Sequence, residues 1–92
     1  WNESYNEKNT IMIKVNIKCF SQVQYAFGQT DLLVELEDGS KLSDLEKIIR
    51  IRAKGKLDDV SLRVAINQNY VTEDTELKNG DEVAFIPPVQ GG

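Results

Sequence analysis

The carboxyl-terminal end of the sequence holds the residues best suited to chemistry. Pro87 and Pro88 stop sheet pairing, because proline has no N–H to donate, and they favour a stiff, extended segment. Gly91 and Gly92 follow after two further residues and have no side chains. We interpret residues 87–92 as a flexible tail whose tip can carry a terminal carboxylate into a narrow pocket of another protein. A frayed chain end with no function is the alternative.

The usual catalytic and metal-binding groups are scarce. The sequence has no histidine and one cysteine, Cys19. Without histidine, the commonest general base and the triads built on it are missing. A single cysteine cannot form an internal disulfide or hold a zinc or iron–sulfur site, which excludes a ferredoxin and suits a reducing compartment. We therefore expect a non-catalytic cytoplasmic chain that binds no metal or cofactor.

Length and charge narrow the class of partner. Ninety-two residues fit one domain, and no apolar run approaches the roughly 18 residues of a membrane span. The net charge of −4 argues against nucleic acid. Acidic residues gather late in the chain, either as a solvated surface or as a face for a basic partner: Asp58, Asp59, Glu73, Asp74, Glu76, Asp81 and Glu82.

The segment from Ile11 to Phe20 alternates between apolar and polar residues, which predicts a half-buried strand. Cys19 falls on the apolar face and is expected to be a small core residue rather than a reactive thiol. Phe20 is an aromatic residue on the otherwise polar face. The apolar face comprises Ile11, Ile13, Val15, Ile17 and Cys19.

The remaining pattern predicts a connection, a strand, a helix and three more strands: Ser21–Asp31, Leu32–Glu37, about Leu42–Ala53, Val60–Ile66, Tyr70–Val71 and Glu82–Ile86. The apolar helix face is predicted from Leu42, Leu45, Ile48, Ile49 and Arg52. Ser40 and Ser43 compete as its N-cap. The helix dipole accounts for basic residues near the helix end: Arg50, Arg52, Lys54 and Lys56.

This order of elements predicts an α+β fold of the β-grasp, or ubiquitin-like, type. A mixed sheet of four to five strands is covered by one main helix, and the final strand lies beside the first. The domain covers residues 11–86 and the tail residues 87–92. Residues 1–10 are polar and unpatterned, and we expect a disordered arm, a trimmed precursor end or residues added to the natural chain.

Four segments resemble one known family, the small subunits of molybdopterin synthase. They are Met12–Val15, Phe20–Val23, Val64–Gln68 and Gly80–Gly92, and the resemblance covers 12–92. The ending is the most specific part, because it joins Gly-Asp-Glu-Val-Ala-Phe to Pro-Pro and Gly-Gly. Thiamine-pathway sulfur carriers and ubiquitin-related modifiers share the Gly-Gly end but usually lack this Pro-Pro arrangement.

The chain also departs from the family pattern. The stretch before Phe20 is slightly longer than expected, and the amino-terminal arm is unusual. Tyr70 stands where a smaller apolar residue is common. None of these differences touches the tail, so they bear on partner identity rather than on carrier chemistry.

The resemblance implies a sulfur carrier in molybdenum-cofactor synthesis. An E1-like adenylating enzyme uses ATP to activate the carboxylate of Gly92, and a sulfur donor converts it to a thiocarboxylate. The large subunit, in a heterotetramer, then passes the sulfur to a cyclic pterin precursor. The chemistry is consistent with the residues, because Gly92 has no Cβ to hinder an enzyme at the acyl carbon and Gly91 gives freedom of approach.

The strand faces also predict a partner-binding patch. Phe20 and Ile86 point away from the helix, and Tyr70 follows a turn, so they can cluster near the tail. Pro87, Pro88 and Val89 continue this surface into the tail as further partner-binding residues. Scattered apolar side chains are the alternative. For function, the alternatives are a ubiquitin-like modifier conjugated through Gly92, a thiamine-pathway carrier, or a binding domain with an inert tail.

Overall fold

A computed structural model describes residues 10–87 of the chain. They form a five-stranded mixed sheet with the strand order β2-β1-β5-β3-β4, in which β1 and β5 are parallel and the other neighbours antiparallel. The predicted α+β fold is confirmed. The elements are β1 Met12–Cys19, α1 Ser21–Phe27, β2 Asp31–Glu37, α2 Leu42–Arg52, β3 Arg63–Ile66, β4 Asn69–Val71 and β5 Glu82–Ile86.

The core lies on the face of the sheet that α2 covers. Val15, Ile17 and Phe85 are fully buried there, together with Leu45 and Ile49 of the helix. In β1, the alternation of apolar and polar residues correctly predicts the inward residues from Ile13 to Cys19. The same alternation is wrong for Ile11, which precedes the strand and is 66% exposed. The prediction of Arg52 on the apolar helix face is wrong as well, because its side chain is exposed.

The predicted connection Ser21–Asp31 is wrong in its first half, which forms the short helix α1. Val23 is buried and Phe27 is half-buried against the core, so the helix covers one end of the sheet. Gly28 ends it with φ +69°, and its N–H donates to Gln24 O at 2.7 Å. Seven residues hold too few turns for a clear helical period, which is why the sequence pattern there indicates only a loop.

Strand β3 begins at Arg63 instead of the predicted Val60, because hydrogen bonds hold the preceding segment, residues 57–60, to α2. The guanidinium of Arg50 donates to the carbonyl oxygens of Leu57 and, at 2.9 Å, of Val60. It also pairs with Glu46 at 3.0 Å. Arg50 therefore fixes the segment 57–60 against α2, a specific role that the helix dipole alone does not explain.

Neither serine predicted as a cap begins α2. Lys41 is the N-cap residue, and its backbone N–H donates to Asp44 Oδ2 at 2.9 Å. Ser43 instead donates twice to Asp74, from its backbone N–H at 2.9 Å and from its hydroxyl at 2.8 Å. These two hydrogen bonds join the first turn of α2 to the segment before β5, and they hold the pKa of Asp74 below its usual value of 3.8.

We expect Asp74→Asn to lower the melting temperature at neutral pH, because an amide oxygen accepts these hydrogen bonds more weakly than a carboxylate. A carboxyl group whose pKa is lowered by folding stabilises the protein above its unfolded pKa, and this stabilisation is lost as the pH falls toward the folded value. The difference from the wild type should therefore shrink below about pH 4. Thermal melts from pH 7 to about pH 2.5 measure it.

Asp59→Asn is the matched control, because Asp59 is exposed and its carboxylate accepts no hydrogen bond within residues 10–87. A gap between Asp74→Asn and the wild type that stayed constant down to the lowest pH would contradict this account of Asp74.

Candidate functional site

The tail begins at the centre of the sheet. Strand β5 lies between β1 and β3, and Pro87, the residue after its last residue Ile86, is buried. The predicted tail residues Pro88, Val89, Gly91 and Gly92 lie outside the described part of the chain. The structure thus fixes where the tail starts, and the functional prediction for its tip stays a prediction.

The face of the sheet opposite α2 carries a shallow pocket beside this point. A row of paired residues crosses four strands there, because Lys18 is paired with Ala84, Ala84 with Ala65, and Ala65 with Tyr70. The two alanines leave a depression between larger neighbours. This open-face pocket has a volume of about 280 Å³ and is lined by Lys18, Phe20, Ala65, Gln68, Tyr70, Glu82, Ala84 and Ile86.

The three apolar residues predicted to cluster all line the open-face pocket. Phe20 is 47% exposed and Tyr70 64% exposed, whereas Ile86 is half-buried. Cys19 is paired with Phe85 across the parallel strands, so the next residues, Phe20 and Ile86, follow on the open face. Their clustering agrees with the strand alternation. Their role in binding a partner stays a prediction.

The floor and part of the rim of the pocket are not predicted by the sequence pattern. Ala65 and Ala84 attract no notice in a sequence, because small residues fit either face of a strand. Gln68 lies in the turn between β3 and β4. One sequence signal could have identified the two alanines. Each lies at an outward position of a predicted strand, where the alternation of the neighbouring residues predicts a side chain on the open face.

The charged groups of the pocket are partly neutralised. Lys18 Nζ lies 2.7 Å from Asp31 Oδ1, and this hydrogen bond, with the attraction of the carboxylate, raises the pKa of Lys18. Hydrogen bonds from Lys18, Asn16 and Thr30 lower the pKa of Asp31. Glu82, which is paired with Asn16 on the neighbouring strand, also lines the pocket and adds to the rise in the pKa of Lys18. The pocket therefore combines an apolar floor with one acid, Glu82, and one lysine that is already paired with Asp31.

A second, larger depression of about 610 Å³ lies beside β4 and the start of α2. Its polar side chains include Ser43 and Asp74, which already hydrogen-bond to each other. It does not include Ile86, the last residue of β5, whereas the open-face pocket does. The open-face pocket is therefore the better candidate for a site that works together with the tail.

Within residues 10–87, no three side chains of the types His, Cys, Asp or Glu come together in a way that could hold a metal ion. No helix in this part of the chain is long and apolar enough to cross a membrane.

The sheet order, the central final strand and the covering helix define a β-grasp domain of the ubiquitin-like class. A solved structure of a putative molybdopterin converting factor subunit 1 from Pyrococcus furiosus has the same fold, with a TM-score of 0.76 and 31% identity over 84% of this chain and 99% of that chain. A complex of subunits 1 and 2 of molybdopterin-converting factor from Helicobacter pylori matches with a TM-score of 0.62, 23% identity, and coverage of 87% of this chain and 100% of that chain. At that identity it shows the fold alone.

The chain belongs to the ThiS family, whose model matches residues 17–92. A curated relative from Chlamydomonas reinhardtii is 39% identical over 84 residues, which are 87% of this chain and the whole of the relative. That relative is named a molybdopterin synthase sulfur carrier subunit.

Cys19 is buried at the end of β1, as the alternation predicts, and burial raises the pKa of its thiol. We expect the folded protein to react with iodoacetamide at about pH 8 roughly a hundredfold more slowly than the protein unfolded in guanidinium, because reaction requires local opening. Mass spectrometry of timed samples measures the rate.

Ser61→Cys in a Cys19→Ala background is the matched control, since Ser61 is exposed and its replacement should react at the rate of a free thiol. Equal rates for Cys19 in the folded and unfolded protein would show that the thiol is accessible in the folded state and would contradict its assignment to the core.

Proposed function

We propose that this chain is the sulfur-carrier subunit of a molybdopterin synthase. The observation that carries the proposal is the parallel pairing of β1 and β5, which starts the tail at Pro87 beside the open-face pocket. The family and the name of the Chlamydomonas relative support the same function. In this proposal the tail carries the reacting group, and the open-face pocket is part of the surface that binds the partner protein.

The reacting group is the carboxylate of Gly92. It is ionised at neutral pH and resists nucleophiles, so it needs activation. An E1-like partner enzyme uses ATP to form the acyl adenylate and releases pyrophosphate. Hydrosulfide from a sulfur donor then forms the C–S bond, the C–O bond to AMP breaks, and Gly92 becomes a thiocarboxylate. In this proposal the activating enzyme, and not this chain, binds the ATP.

The large synthase subunit is the proposed recipient. In its active site the sulfur of the Gly92 thiocarboxylate forms a C–S bond to the pterin precursor in place of a C–O bond, and water then cleaves the acyl C–S bond and restores the carboxylate. The proposed complex is a heterotetramer of two small and two large subunits. The Helicobacter structure is a complex of such a pair of subunits. The exposed apolar residues Phe20, Tyr70 and Ile86 would be covered by the large subunit, and Pro87, Pro88 and Val89 would direct the tail into it.

Two features of the tail suit this task. Pro87 and Pro88 restrict the chain before docking, so less conformational entropy is lost when the tail is ordered in its pocket. Gly91 and Gly92 allow close approach of protein backbone on every side of the acyl carbon. A side chain at either position would have to be accommodated by both the activating enzyme and the large subunit.

We expect the protein recovered from its native cells, or treated with the adenylating enzyme, ATP and a sulfide source, to gain the mass of one oxygen-to-sulfur exchange. A chain lacking Gly92 should show no gain. Intact mass spectrometry measures both, and alkylation of the thiocarboxylate locates it at the last residue.

A chain whose terminal carboxylate is blocked as an amide is the control, because its fold is unchanged and its reacting group is lost. If the amide form still delivered sulfur, the proposed function would be wrong. High-mass conjugates to lysine, without the sulfur gain, would instead favour the ubiquitin-like modifier.

We expect Phe20→Ala and Ile86→Ala each to weaken binding to the large subunit by roughly tenfold or more, as truncation of a central apolar anchor costs about 2 kcal/mol. Leu33→Ala is the matched control, because Leu33 is 61% exposed on the sheet but lies outside the pocket. Calorimetric titration measures the affinities. Wild-type affinity in both pocket variants would contradict the assignment of this surface.

A further inference from the structure

The turn between β3 and β4 contains an unexplained strain. It has two residues, Asn67 and Gln68, and both have positive φ, +51° and +73°. This is the pattern of a type I′ hairpin turn, in which Asn followed by Gly is the favoured pair. Glycine adopts the second position freely, whereas glutamine is strained there by its Cβ.

Hydrogen bonds account for the positive φ of Asn67, the first of these residues. Asn67 donates from Nδ2 to Asp81 Oδ1 at 3.0 Å, and its Oδ1 accepts from the backbone N–H of Glu82 at 3.1 Å. These hydrogen bonds tie the turn to the start of β5. Asparagine also tolerates the left-handed conformation better than most residues. Asn67 therefore contributes to the fold in a way that offsets its backbone strain.

Gln68 has no such explanation within the fold. Its side chain is exposed, and among residues 10–87 it makes no hydrogen bond. It does line the open-face pocket, together with Tyr70 and Glu82. Strained residues that add nothing to the fold concentrate at binding and active sites. A position where glycine would be more stable thus carries a long polar side chain at the rim of the candidate site.

We propose that Gln68 recognises a backbone peptide group of the large subunit, a role that rests on the proposed function. The side-chain amide offers both donors and an acceptor in one plane, and a peptide group presents one N–H and one C=O. The neighbouring groups suit this less well. Lys18 is held by Asp31 at 2.7 Å, and a carboxylate such as that of Glu82 offers only acceptors.

The proposed contact divides recognition between two kinds of surface. Phe20, Tyr70 and Ile86 supply apolar area, which favours association without fixing its direction. Gln68 supplies directional hydrogen bonds at the edge of that area, and they set how the partner lies over the pocket. Correct orientation matters here because the tail must enter the partner's active site from Pro87.

The test is Gln68→Gly, which creates the favoured Asn-Gly turn and removes the amide. We expect the melting temperature to rise by about 4 °C, as the strain is relieved. The dissociation constant for the large subunit should increase roughly threefold to tenfold, the loss of one or two hydrogen bonds. Thermal melts and calorimetric titration with the purified large subunit measure the two effects.

Lys54→Gly is the matched control. Lys54 also has positive φ, +55°, but it follows α2 and does not line the pocket. This variant should raise the melting temperature in the same direction and leave the affinity for the large subunit unchanged. If relief of strain were the only effect of Gln68→Gly, both variants would raise the melting temperature and neither would change the affinity for the large subunit.

The outcomes separate this inference from the function on which it rests. If Gln68→Gly binds as tightly as the wild type while Phe20→Ala binds weakly, Gln68 has no recognition role and the proposed function stands. A lower melting temperature for Gln68→Gly would overturn the argument from strain. If the wild-type chain itself neither binds the large subunit nor gains sulfur, the proposed function fails and this inference fails with it.

Discussion

The parallel pairing of the first and last strands is the constraint on which the rest of the structure depends. It runs from Asn16 opposite Glu82 to Cys19 opposite Phe85, at the centre of the sheet. Parallel neighbours cannot be joined by a tight turn, so the chain between them must cross over and bring α2 onto one face. The same pairing buries Ile17 and Phe85 completely. Because the two strands are parallel, their carboxyl ends lie at the same end of the sheet, and the tail starts there.

Regular periodicity is sufficient to predict most of this arrangement. Alternation identifies β1 and β5 and their inward faces, and the apolar spacing of Leu42, Leu45 and Ile49 identifies α2. Predictions fail where tertiary contacts set the local structure. The first turn of α2 is joined to Asp74, which lies 31 residues away from Ser43. No local sequence pattern predicts a contact between residues so far apart. Helix α1 fails for a different reason, because it is too short to show a helical period.

The candidate site is predictable to the extent that its residues break the pattern of their elements. Phe20 stands out as an aromatic residue at a polar position, and Ile86 as an apolar residue on the solvent side. Ala65 and Ala84 shape the pocket by their small size, which becomes informative only when register places them side by side. The strain at Gln68 is a backbone angle, and a sequence does not contain it. The clustering of Phe20, Tyr70 and Ile86 is therefore predictable from the sequence, whereas the alanine floor and the strained turn emerge only from the register and the backbone angles.

The proposed chemistry also requires that the chain not react with its own activated end. An acyl adenylate at Gly92 is attacked by thiolates and neutral amines, and both kinds of group are suppressed near the pocket. Cys19 is buried and the pKa of its thiol is raised, so it stays protonated and covered. Lys18 lines the pocket, but its ammonium group is paired with Asp31 at 2.7 Å, and this hydrogen bond raises its pKa further above neutral pH. Among the residues that line the open-face pocket, the one lysine is thus paired with Asp31, and the neighbouring thiol of Cys19 is buried, which suits a tail that carries the reacting carboxylate.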